Sequence, residues 1–98
     1  MDRESVIRIL RQHQQELQAA GIVHLRLFGS VARGEANENS DVDLVADFDR
    51  SRRYTLFTMA GLEQQLSDLL GVKVDLAPAD ALRERVLVNV LREAVDAF

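Results

Sequence analysis

The residues of this chain best suited to chemistry come in one order. Gly29-Ser30 is followed, after ten intervening residues, by Asp41-Val42-Asp43, and a third carboxylate, Asp75, sits in a later apolar run. A glycine directly after a strand lets the backbone approach a phosphate closely. Ser30 then opens a short helix whose free N–H groups and hydroxyl suit phosphate oxygens. Arg33, one turn on, either adds a charged donor to the same triphosphate or pairs with a local carboxylate. Carboxylates two apart on a strand point to the same side. Asp41 and Asp43 can therefore bind one Mg²⁺ together, or bridge two ions roughly 3.5–4 Å apart. Phosphoryl and nucleotidyl transfer need positioning, in-line geometry and charge compensation rather than covalent help. The pattern points to nucleotidyl transfer from a nucleoside triphosphate.

These groups need a scaffold, and the surrounding sequence predicts one. Asp2 can cap a helix running to about Ala20, with Val6, Ile7, Leu10 and Leu17 as its apolar stripe and Gly21 as its stop. Ile22 to Phe28 alternates, with Val23, Leu25 and Leu27 expected on one face and His24, Arg26 and Phe28 on the other. A short helix from Ser30 to Arg33 ends at Gly34, and Glu35 to Ser40 is polar and loop-like. Val42 to Phe48 is a second strand, with Asp41, Asp43, Val45 and Asp47 expected to share its polar face. Leu56 to Leu70 is a helix closed by Gly71. Val72 to Leu76 is a third strand with Lys73 and Asp75 on its polar face, and if it neighbours the second, three carboxylates converge. Asp80 can cap a last helix from Ala81 to about Val95. The order predicts an α+β fold: a small mixed β-sheet with helices packed on one face, leaving the other face for function.

Composition narrows the classes. At 98 residues, the length suits one domain spanning 1–98. With 47% apolar and 29% charged residues, it reads as an ordinary soluble globular protein. It has no cysteine, which excludes disulfides and thiolate chemistry and suits a cytoplasmic location. No apolar run reaches membrane-spanning length, and Asp2, Arg3 and Glu4 follow Met1 where a secretory segment would be apolar. The net charge of −4 argues against direct nucleic-acid binding, and an acidic chain handling a triphosphate needs metal ions to offset repulsion.

The combined motifs resemble a known family. Gly29-Ser30, ten residues and Asp41-x-Asp43 match the signature of the DNA polymerase β-like nucleotidyltransferase superfamily. The wider run from Gly29 to Ala36, then Ser40-Asp41-Val42-Asp43-Leu44 and Lys73-Val74-Asp75-Leu76, resembles its minimal nucleotidyltransferase branch over nearly the whole chain. The resemblance implies transfer of AMP from ATP with Mg²⁺, two ions being expected. It implies Asp41 and Asp43 as metal ligands, and Asp75 as a third ligand or as base on the incoming hydroxyl. It implies Gly29 and Ser30 on the β- and γ-phosphates, while the roles of Arg33 and Lys73 stay open. Many such small proteins are antitoxins beside an HEPN-type ribonuclease toxin, and some attach AMP to a toxin tyrosine. Larger relatives carry a helical acceptor-binding domain, so here another subunit or a partner is expected to hold the acceptor, in a homo- or hetero-oligomer.

Other readings stand beside these. The chain could neutralise a toxin by occlusion with its nucleotide site unused, or modify a small molecule of aminoglycoside type. Asp47 lies roughly 13 Å along the strand from Asp43 and reads as a surface residue, and Glu35 and Glu38 as solvating loop residues. His13 and His24 lack metal-ligand spacing. Arg50, Arg52 and Arg53 lie beyond the far end of the second strand. The last helix carries more apolar residues (Leu82, Val86, Val90; Val88, Leu91, Val95) than one stripe needs, which fits either a core role or a protein interface.

Overall fold

A computed structural model describes residues 2–37 and 40–98, so Glu38 lies outside the described residues. The first helical pattern is realised in two pieces, α1 (Arg3–Gln12) and α2 (Gln14–Ala19). Asp2 caps α1 by accepting from Ser5 N at 2.8 Å, and these Ser5 hydrogen bonds hold its carboxyl below the usual range. The single helix expected to reach Ala20 breaks at His13. There the N–H is shared between Ile9 O and Leu10 O at 3.2 Å each, and the ring bonds Glu16 Oε2 at 2.9 Å. Leu10 and Leu17 lie two turns apart and both remain fully buried.

Strand β1 (Ile22–Phe28) leads into α3 (Gly29–Arg33), then β2 (Val42–Phe48), α4 (Leu56–Leu70), β3 (Val74–Pro78), a 3₁₀ turn (Ala79–Ala81), α5 (Glu84–Glu93) and β4 (Val95–Asp96). The sheet order is β3-β2-β1-β4. β1 pairs antiparallel with both β2 and β4, whereas β2 and β3 run parallel with α4 as their crossover. Thr55 starts α4 with a reciprocal capping box: Thr58 N donates to Thr55 Oγ1, and Thr55 N to Thr58 Oγ1.

One face of the sheet is covered as expected. Leu25, Leu27, Val42, Leu44, Ala46 and Val74 pack against Val6, Leu10 and Leu17 and against Leu62, Leu66 and Leu70 of α4. The α+β class with a mixed sheet therefore holds. Val23 departs from its expected place: it is 55% exposed, because the β1–β2 register slips between Ile22 and His24 and makes Val23 the extra residue of a bulge. Ile22, fully buried, joins the core instead.

The C-terminal segment differs more from its pattern. The helix begins after Arg83, not at an Asp80 cap, and the chain leaves it at Ala94 to form β4. Val95 pairs with Leu27 and Asp96 with Arg26, and Arg11 Nε donates to Ala97 O at 2.7 Å. A two-residue strand has no periodicity to read, and long-range partners supply its hydrogen bonds. Val90 of α5 packs with Val45 and Ala79, flanked by Phe28, Leu82, Leu87 and Ala94, as a small second core on the opposite face of the sheet. The apolar surplus of the last helix thus divides. Val90 is buried, while Val86, Val88 and Leu91 stay 46–49% exposed. No helix among the described residues is long and apolar enough to cross a membrane.

Candidate active site

Strand register builds the site. Phe28 of β1 pairs with Asp43 of β2, and Asp43 pairs with Asp75 of β3, so one row across three strands carries both carboxylates. The parallel pairing of β2 and β3 turns a sequence separation of 32 residues into direct neighbourhood. Gly29 follows Phe28 and therefore lands beside Asp43. Its φ is +78°, in the left-handed region, and a Cβ there would run into Asp43 Oδ2 and lie 3.2 Å from Asp43 Cγ. Glycine is required twice, by the backbone and by the carboxylate against it.

The turn continues into α3. No described side chain caps this helix, so its first N–H groups are left for an outside acceptor. Ser30, half-buried at its start, accepts from Glu35 N through its carbonyl at 2.9 Å. Gly34 ends the helix as the sequence predicts.

The three carboxylates feel one another. Burial pushes the Asp43 carboxyl above its usual range, and the charges of Asp75 and then Asp41 push it further, against a smaller opposing pull from Arg33. Asp41 and Asp43 are half-buried and Asp75 is exposed. Lys73 Nζ lies 3.7 Å from Asp41 Oδ2, so the lysine pairs with Asp41 rather than with its neighbour Asp75. Among the described residues, no three carboxylate or imidazole side chains close into a ready metal cage. Asp43 and Asp75 do meet as expected, while Asp41 is turned toward Lys73. The donor set nevertheless suits a hard cation. All its groups are carboxylates, and the central one is pushed toward protonation by negative neighbours that a cation would neutralise.

Arg33 is engaged locally. Its Nε donates to Glu35 Oε2 at 3.0 Å, and its Nη1 lies 3.6 Å from Glu93 Oε2 of α5. Glu93 carries no sequence motif; only the packing of α5 on the reactive face brings it here. The remaining polar residues of that face are occupied. Asp47 pairs with Arg26 Nη1 at 3.0 Å, and Asp96 with His24 Nε2 at 3.3 Å. Arg52, beyond the far end of β2, donates to Ala19 O at 2.8 Å. A surface groove of about 590 Å³ between α1 and β4, lined by Ile7, Arg8 and Val95 among others, contains none of the predicted site residues.

Residues 5–97 match the family described as the nucleotidyltransferase domain. The chain belongs to the nucleotidyltransferase family. This membership agrees with the order Gly-Ser, Asp-x-Asp, Asp, whose Asp43 and Asp75 lie on adjacent strands. A protein adenylyltransferase, MntA, of Thermococcus cleftensis is 40% identical over 93 residues, covering 94% of this chain and 92% of that protein. A solved structure assigned as a minimal nucleotidyltransferase is 42% identical, with a TM-score of 0.82 over 97% of this chain and 95% of the other. A chain from a solved complex of a tri-AMPylated Shewanella oneidensis HEPN toxin with its MNT antitoxin shares the fold, with a TM-score of 0.67 at 16% identity over 92% of this chain and 69% of that one. This nucleotidyltransferase is thus an enzyme by family, and its fold is that of the minimal branch.

Proposed function

We propose that this chain is an Mg²⁺-dependent protein adenylyltransferase that moves AMP from ATP to a hydroxyl, such as a tyrosine, of an HEPN-type toxin, and so acts as an antitoxin. The observation that carries the reading is the row Phe28–Asp43–Asp75, which sets two carboxylates on adjacent strands with the Gly29 turn packed against the central one. Similarity to a named protein adenylyltransferase supports the choice of AMP and of a protein acceptor.

Each residue has a part in this scheme. Asp41 and Asp43 would hold Mg²⁺, with Asp75 as further ligand or as base. The metal, when bound, offsets the negative charge of the triphosphate and of the attacked phosphorus. Gly29 and the first turn of α3 give backbone N–H groups to the β- and γ-phosphates, Ser30 adds its hydroxyl, and Arg33 adds a cation. The acceptor hydroxyl gives its proton to Asp75 as its oxygen attacks the α-phosphorus. The bond from that phosphorus to the bridging oxygen breaks, and pyrophosphate leaves. The acceptor hydroxyl is held in place by another subunit or by the partner protein. A cytoplasmic location fits the ATP substrate of this reading.

The test is direct. The purified chain, its cognate HEPN-type partner, ATP and Mg²⁺ are combined and the partner is weighed by mass spectrometry. A gain of one or more AMP units that disappears with Asp43→Asn supports the reading; an unmodified partner sinks it. Neutralisation by occlusion draws support from the exposed Val88 and Leu91. It predicts that Asp43→Asn still silences the toxin in an intact complex.

A further inference from the structure

Arg33 is paired with two carboxylates that lie far apart in the chain, Glu35 and Glu93. Glu35, just beyond the end of α3, takes its Nε at 3.0 Å, and Glu93, the last residue of α5, lies 3.6 Å from its Nη1. A guanidinium is a planar fork of five N–H donors. A carboxylate hydrogen-bonded to Nε and a second in ion-pair range of Nη1 favour one orientation of that plane and still leave donors for a further anion. Arg33 also lies within electrostatic reach of Asp43, the central residue of the carboxylate row. The helix that brings Glu93 here is anchored on the same face of the sheet, through Val90 against Val45 and beside Phe28, the strand partner of Asp43.

We propose that Glu93 is a positioning residue: from α5 it orients Arg33 so that the free guanidinium donors meet the phosphates of a bound nucleoside triphosphate. The proposal rests on the nucleotide-binding function set out above and adds a residue that no part of the Gly-Ser, Asp-x-Asp pattern contains. Its consequence has an unusual sign. A carboxylate near a polyanion is repulsive by Coulomb's law alone, so removing it should tighten binding. A carboxylate that acts through Arg33 does the reverse, and its removal weakens binding.

The measurement is ATP affinity in the presence of Mg²⁺ at near-physiological salt, by isothermal titration calorimetry, for the full chain and its variants. Glu93→Gln is expected to weaken binding about three- to fivefold, the ratio that orienting one exposed ion pair can supply. Glu93→Asp, which keeps the charge, recovers part of that loss. Arg33→Ala weakens binding about tenfold or more, and Glu93→Gln added to it brings no further weakening. Thermal unfolding run in parallel separates these changes from loss of the fold. Unchanged or tighter binding by Glu93→Gln overturns the proposal, as does equal weakening with and without Arg33. If the unaltered chain binds no ATP, the nucleotide-binding function falls and the proposal with it. If the unaltered chain binds and Glu93→Gln binds equally well, the proposal alone falls.

Discussion

Gly29 and Asp43 are in such close contact that a methyl group on the glycine would overlap the aspartate carboxylate, lying 3.2 Å from Asp43 Cγ at a backbone φ of +78°. The proposed phosphate-binding turn and the proposed metal-binding carboxylate therefore share one packed corner.

Gly29→Ala tests that corner. The left-handed backbone costs a non-glycine residue about 1–2 kcal/mol, and Asp43 must also give way. Chemical denaturation is expected to report at least that loss. AMP transfer should fall further than stability does, on the order of a hundredfold, because a displaced Asp43 spoils alignment at the reacting atoms. Transfer at the original rate would mean that the corner does not position the reaction.

Asp43→Asn should separate stability from activity. The folded state holds the Asp43 proton more tightly than the unfolded chain does. Its contribution is therefore fully favourable below the unfolded value of about 3.9 and is lost as pH rises through the raised folded value. At neutral pH the ionised carboxylate opposes folding, so Asp43→Asn is expected to melt higher than the original chain in metal-free buffer while losing transfer. The gap should close as pH falls below 4. Thermal melts from about pH 3 to pH 8 check the sign, and a lower melting point for the variant at neutral pH would contradict it.

Metal should act on stability through the same residue. Mg²⁺ with a non-hydrolysable ATP analogue is expected to raise the melting temperature of the original chain by mass action, and a chelator to reverse the rise. The shift should shrink strongly in Asp43→Asn. Equal shifts in both proteins would place the metal elsewhere.

The core and the exposed side of α5 should answer differently to substitution. Leu66 is fully buried under the sheet, and Leu66→Ala is expected to cost about 2–5 kcal/mol. Val88 is 49% exposed on α5, and Val88→Ser should stay within about 0.5 kcal/mol in the isolated chain. Urea unfolding curves decide both. If Val88 belongs to a partner interface, its substitution shows in partner binding instead.

Much of this protein is written in local pattern. The alternation of Ile22–Phe28 and Val42–Phe48, the stripe of Leu56–Leu70 and the Asp2 cap set three of the main elements and one helix start, because period and capping depend on residues a few positions apart. The spacing from Gly29-Ser30 to Asp41 and Asp43 is equally legible in the sequence, and the antiparallel pairing of β1 with β2 then sets Gly29 beside Asp43. Tertiary structure alone decided the remainder. The β1 bulge expelled Val23, β4 formed from two residues held by Leu27, Arg26 and Arg11, and α5 crossed to the reactive face with Glu93 beside Arg33. It decided, too, that Lys73 pairs with Asp41 while Asp75 lines up with Asp43. Each of these depends on a partner distant in sequence, and periodicity within a single segment holds no information about which distant segment will pair with it.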